Sequence, residues 1–337
     1  MKREFEFLDR REFLGTVAGS GVLFGLAAVA ARAAEAGAAN PFAYDLSKFE
    51  NTDPSLINYQ IAGRWPCPRQ NGRHISSGPD DQIYICAGDY LAAFSPEGQP
   101  GLEIALPERV YCASVAADGV VYAGSRSAVH IFDKRGRSVA AWNSPNKKSW
   151  FTGIAAGERD VFVADSASRV VWRYSRGGKL LDRIGEKNAE KNAPGLAVPS
   201  PYLNVVIHPD GLLRVNNTGR HRVESYSFDG KFVSAWGKPA FGIGGFCGCC
   251  NPINIAMLSD GRLVTAEKGL PRVKIYNLAG DFESVVAGPE LFPKNMRAGS
   301  GLSDSTRGGL GAATDSRGRV FILDFVTNEV LVMERKS

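Results

Sequence analysis

Three of the chain's six cysteines fall within four residues, in Phe246-Cys247-Gly248-Cys249-Cys250-Asn251-Pro252. Thiolates are soft donors that suit iron–sulfur clusters, copper and zinc, and Cys-x-Cys-Cys offers several of them from one loop. The spacing is neither the C-x₂-C-x₂-C of a ferredoxin nor the paired C-x₂-C of a zinc ribbon, so it leaves the metal open. The expected centre is held by Cys247, Cys249 and Cys250, with Cys67, Cys86 or Cys112 completing it, for redox chemistry or sensing. Two other readings compete. An even number of cysteines permits disulfides, in pairings the sequence cannot choose among. Alternatively, the cluster is a compact turn and Cys86 and Cys112 are small buried residues.

Cationic groups flank this cluster. Arg220, His221 and Lys268 are expected beside it, where a positive charge lowers a thiol pKa and favours the reactive or metal-binding form. His221 and His74 are the candidate nitrogen ligands. Asp165, Asn217, Glu267 and Asp324 offer another chemistry, a partial ring of donors for a divalent cation in a lactonase-like or lyase-like enzyme, which would leave the cysteines unexplained. No Ser elbow, HExxH or Walker loop is present, and the Gly-rich run at 241 to 246 opens no helix, so it is a poor phosphate cradle.

The elements that must position these residues emerge when six phrases are stacked: DDQIYICAGDYLAAFSPEG (80 to 98), ADGVVYAGSRSAVHIFDKRG (117 to 136), GERDVFVADSASRVVWRYSRGG (157 to 178), PDGLLRVNNTGRHRVESYSFDG (209 to 230), SDGRLVTAEKGLPRVKIYNLAG (259 to 280) and SRGRVFILDFVTNEVLVME (316 to 334). Each has a turn, a β-branched strand, a polar loop and a second strand with an aromatic residue or Met near its end. A further short strand lies upstream of most turns and a fourth downstream. Four strands per unit at intervals of roughly 38 to 57 residues predict an all-β, six-bladed β-propeller. The sixth phrase lacks its outer strand, and Asn58 to Trp65 looks like an outer strand without a blade. The two are expected to pair through Val330 to Met333 and remove the open edge.

The units from 209 to 237 and from 259 to 280 resemble NHL repeats, whose pattern is an apolar strand, DG turn, strand ending in an acid, small loop, Arg-Val, then an aromatic and DG. The likeness is clear in blades four and five and looser in blades one and two. It implies a propeller fold that hosts lyases, lactonases and pure binding platforms, so it says little about chemistry. It also implies that acids such as Asp165 and Asp324 accept backbone N–H bonds and serve structure. In such a blade the incoming loop and the loop after the second strand share a face. All six cysteines map to that face, as do Arg220, His221, Lys268 and His74; the face with the Asp-Gly turns has none.

Asp9-Arg10-Arg11-Glu12-Phe13-Leu14, the Gly/Ala-rich run to Ala31 and the small residues Ala34 and Ala36 resemble a twin-arginine export signal. The expected organisation is a signal over 1–36, an arm over 37–56 and the propeller over 57–337. The resemblance implies a periplasmic or secreted protein without a stable membrane anchor after cleavage, exported folded and able to receive a cofactor first. Five basic and five acidic residues cancel within 1–36, so the remainder carries the whole net charge of +5. That charge is scattered, with no basic stripe interleaved with aromatics, and nucleic acid is not expected as a partner. The partners expected are an electron-transfer or other protein, a glycan, or a small molecule.

Overall fold

The computed structural model describes residues 46–67, 69–294 and 309–336. The expected signal and the first part of the expected arm lie outside the described residues. Ser47 to Ser337 forms one compact unit. Its strands make six four-stranded antiparallel sheets among the described residues, five of them simple meanders.

Blade one is Gly72–Ser77, Ile83–Ala87, Tyr90–Phe94 and Pro100–Ala105; blade two is Cys112–Val115, Val121–Gly124, Ala128–Phe132 and Ser138–Asn143. Blade three is Phe151–Ala156, Asp160–Asp165, Val170–Ser175 and Leu180–Ile184; blade four is Val205–Ile207, Leu213–Asn217, Arg222–Tyr226 and Phe232–Trp236. Blade five is Asn254–Met257, Leu263–Ala266, Val273–Tyr276 and Phe282–Ala287. Blade six combines Leu310–Thr314, Val320–Asp324 and Glu329–Arg335 with the N-terminal strand Tyr59–Pro66.

That closure has the expected partners. Tyr59 pairs with Arg335, Ile61 with Met333 and Trp65 with Val330, with a bulge between Ile61 and Gly63. Joining the first strand to the last blade leaves no open edge between the chain ends. Within the arm, Ser47–Phe49 and Pro54–Leu56 are short 3₁₀ turns, and Phe49 stacks on Phe241 with ring centroids 5.8 Å apart.

Burial explains the sequence pattern strand by strand. Second strands are covered on both faces, and that of blade three reads as a continuous apolar run, Val161 to Ala164 being fully buried; that of blade four buries Arg214, Asn216 and Asn217 as well. Among the outer strands Ser138–Asn143 is exposed along nearly its whole length, whereas in blade five Ser284 to Ala287 are buried. Between blades, a tryptophan at the end of one outer strand lies against a left-handed glycine of the next blade. Trp65 meets Gly98, Trp142 meets Gly178 and Trp236 meets Gly280, and a Cβ at any of these glycines would clash with the indole. Only glycine combines the positive φ with so close an approach. Trp142 also stacks on Tyr174 at 5.4 Å, and Trp236 packs on Tyr276 at 4.6 Å, contacts worth about 0.5–1.5 kcal/mol each beyond area burial.

Candidate functional site

The six cysteines lie at strand ends and loops toward the face of the incoming loops, but in separate places. Cys67 packs in the apolar cluster between blades six and one, Cys86 between blades one and two, and Cys112 between blades two and three. All three are buried, and burial pushes each thiol pKa up. Cys247, Cys249 and Cys250 sit together in the incoming loop of blade five; all six are free thiols. Cys249 is exposed, Cys250 is buried, and their Sγ atoms are 3.3 Å apart. Among the described residues no group of three or more His, Cys, Asp and Glu side chains is placed to hold a metal ion.

The blade-five loop rests on buried charge. Glu267, Arg272 and Lys274 are 0%, 2% and 0% exposed, with Arg272 and Lys274 both 2.8 Å from the Glu267 carboxylate. The two cations then turn to backbone. Arg272 donates to the carbonyls of Phe241 and Gly245, and Lys274 to those of Ile243 and Gly245. The Gly-rich run before FCGCC is therefore a pinned loop, fixed by donors from blade five's third strand. Lys274 also lies 4.7 Å over the buried Phe246 ring. Its pKa is pushed down to about 8 because burial disfavours the ammonium more than Glu267 favours it.

Asn251 fixes the other end. Its Nδ2 donates to the carbonyls of Cys247 and Lys268 at 2.6 and 2.9 Å, its Oδ1 accepts from Lys268 N at 2.9 Å, and its own N–H donates to Thr218. His221 belongs to this loop cluster: its Nε2 is 2.6 Å from the Gly248 carbonyl oxygen. Arg220 turns away to the carbonyl of Pro194.

The cations nearby do not lower the thiol pKa values on balance. The Cys247 thiol is pushed up to about 11, by burial first and Glu267 second, with Arg272 and Lys274 opposing. Cys249 is likewise raised, by burial and then by Cys250, with the Lys268 charge pulling the other way.

The expected acidic ring is engaged internally. Burial would raise the Asp165 pKa, but bonds from Ser149, Trp150 N–H and Trp172 hold its carboxyl below the usual value. Asn217 joins Ala197 N–H to Glu224, and Asp324 caps Val326 and Thr327. Glu267 belongs to the buried triad. Among the described residues no three such carboxylates are placed to share a hard divalent cation.

The cavity at the channel mouth has a different lining. It encloses about 360 Å³ and is walled by Arg73, Arg109 and Arg126 together with Tyr111, Trp150, Tyr202 and Phe325; among the described residues no carboxylate lines it. The guanidinium of Arg126 stacks 3.9 Å over Trp150, that of Arg73 lies 6.0 Å over Phe325, and the Lys268 ammonium lies 5.1 Å over Tyr202. Among the described residues none of the three arginines makes an ion pair. His74 lines both this cavity and the channel below it, and is 4% exposed. Its Nε2 is 3.0 Å from the Ala113 carbonyl oxygen, so it carries the proton and Nδ1 is left as the acceptor. Burial brings its pKa down to about 4, so the ring is neutral at neutral pH.

Apart from His74, the residues lining this cavity carry no sequence motif. Arg73, Tyr111 and Trp150 each lie within one residue of the start of an inner strand and Tyr202 lies three before one, so the first four blades share large cationic or aromatic side chains near that point, while Ile253 and Gly309 hold it in blades five and six.

A closed six-bladed propeller with a cationic, aromatic channel mouth is thus the class of protein the fold and site define. Among solved structures the chain is similar to a streptogramin B lyase, with 13% identity and a TM-score of 0.56 over 84% of this chain and all of the other. It is similar also to selenomethionine-substituted virginiamycin B lyase from Staphylococcus aureus, with 14% identity and a TM-score of 0.57, and to a catalytically inactive variant of that enzyme with quinupristin, with 15% identity and the same TM-score. Each of these two matches covers 82% of this chain and all of the other. At such identity the likeness shows the fold alone. No protein-family model matches the chain, and no curated protein matches it in sequence.

Proposed function

We propose that this protein is an exported, NHL-like propeller that binds an organic anion, a carboxylate with an aromatic or other planar portion, at the channel mouth. The observation that carries this reading is a concave lining with three arginines, four aromatic rings and, among the described residues, no carboxylate. Arginine forks recognise carboxylates bidentately, and guanidinium groups already stacked on rings lose little freedom on binding. A cavity of about 360 Å³ suits a small organic molecule. The same face could instead serve a protein or glycan partner, as a binding platform does. That alternative predicts that no isolated small anion competes for it.

Equilibrium binding of a panel of aromatic carboxylates and their neutral amides tests the reading. Carboxylates should bind, amides should not, and replacing Arg73, Arg109 and Arg126 together by Gln should remove the preference. Equal binding of acids and amides would contradict it.

A second, lyase-like reading is supported by the fold likeness and by His74. Elimination needs a proton acceptor near the substrate, and His74 offers a neutral imidazole whose Nδ1 makes no hydrogen bond among the described residues. A ligand found by the panel should then be converted slowly by a His74→Asn variant that still binds it. If the wild-type protein returns every bound ligand unchanged, this reading falls and the binding reading stands.

A further inference from the structure

We infer that Cys249 and Cys250 form a two-thiol clamp for a single soft, thiophilic ion at the rim of the channel mouth. The argument starts from the two sulfurs. They are adjacent in sequence, 3.3 Å apart and unbonded, and one of them is exposed to solvent. A disulfide would require them to close to about 2.05 Å between residues whose Cα atoms are about 3.8 Å apart, below the usual span of about 4.4–6.8 Å. Such a bond is strained and easily reduced, a poor brace. A pyramidal arsenic bound by both sulfurs leaves them near their present separation, whereas a linear copper bis-thiolate requires them to spread.

The coordination number follows from what surrounds the pair. Cys247 is the nearest further thiol in sequence, but it is buried beside Glu267 and hydrogen-bonded toward Leu270. The Nε2 of His221 is engaged by the Gly248 carbonyl. With no third donor in place among the described residues, the site does not suit zinc, which takes four ligands in structural sites. It suits soft ions content with two thiolates, such as monovalent copper or trivalent arsenic. The loop is already fixed on both sides of the pair, through Asn251 and through the bond from His221 to Gly248, so little order is lost on binding. Lys268 lies close enough to act electrostatically on Cys249 and offsets the charge of a bis-thiolate.

Both chemistries balance without a redox partner. Monovalent copper displaces two protons from the two thiols and gives a bis-thiolate complex. Arsenous acid forms two As–S bonds, loses two hydroxyl groups, and takes up the two thiol protons as two molecules of water.

The test is a titration of the reduced, full-length protein with arsenite and, separately, with monovalent copper held by a competing chelator, read by native mass and by free-thiol count. The expected result is one ion per chain and two thiols protected in at least one arm. That binding should be lost in Cys249→Ser and in Cys250→Ser but kept in Cys247→Ser, with the melting temperature of each variant recorded. The arm that binds more tightly names the ion. Failure of both arms, binding indifferent to Cys249 and Cys250, or equal dependence on Cys247 would overturn the clamp. So would a Cys249–Cys250 disulfide in protein exported by its own signal and purified without reductant.

Discussion

Two regions of one face use positive charge in opposite ways. Beneath the blade-five loop, Arg272 and Lys274 are almost wholly buried, share one carboxylate and spend their remaining donors on backbone carbonyls. At the channel mouth, Arg109 and Arg126 are exposed, Arg73 is half-buried, and aromatic rings rather than carboxylates lie against Arg73 and Arg126. A buried cation with every donor satisfied is committed to the fold, and removing its partner leaves an uncompensated charge. An accessible cation over a ring has its stem held and its hydrogen-bonding fork available to a ligand. Net charge alone does not reveal this difference, since both regions contribute to the same +5.

The comparison breaks most visibly at Glu267. Glu267→Gln strands two cations in the interior, and the loss in stability by urea unfolding should be about 3–5 kcal/mol. Lys274→Met should cost less than half as much, since it removes a charge that burial already disfavours. An equal cost would mean that the carbonyls of Ile243 and Gly245, not the charge balance, hold the loop.

Next in size is a pH effect at the mouth. The folded His74 pKa is about 4, below the ordinary histidine value of 6.5, so between these values the unfolded chain binds more protons than the folded one. Stability should therefore fall as pH drops from about 6.5 to about 4, by up to about 3 kcal/mol from this group. His74→Gln should remove that part of the slope. An unchanged slope would show that His74 is not held neutral.

Smaller again is the effect of a single mouth arginine. Arg126→Gln should weaken binding of an anionic ligand about tenfold, or about 1.4 kcal/mol, while the melting temperature stays within error of wild type. A drop in stability comparable to that of Glu267→Gln would erase the distinction between the two regions.

The fold was largely legible because each blade repeats the same local chemistry. The unmatched strand from Asn58 to Trp65 and the strandless end of the sixth phrase pointed to each other, and Trp65 does pair with Val330. The cysteines were legible only in part. Strand direction places a residue on one face of a propeller, but not between a particular pair of blades. Cys67, Cys86 and Cys112 share a face with FCGCC and lie in three separate inter-blade clusters. The acids misled in a similar way: Glu267 reads as a mouth residue from its loop, yet Arg272 and Lys274, five and seven positions later, draw it inward. The cavity ring was hidden because it takes large side chains singly from several blades, from Arg73 to Tyr202, with no local motif at any of them.

The claim that the mouth is an anion site is tested most directly by calorimetric titration of wild-type protein and the Arg73→Gln/Arg109→Gln/Arg126→Gln variant with the tightest aromatic carboxylate from the panel, at low and at high salt. The account predicts stoichiometric binding to wild type that weakens with salt and is lost in a variant that still melts as wild type does. Binding that survives in the folded variant, or that ignores salt, would contradict it.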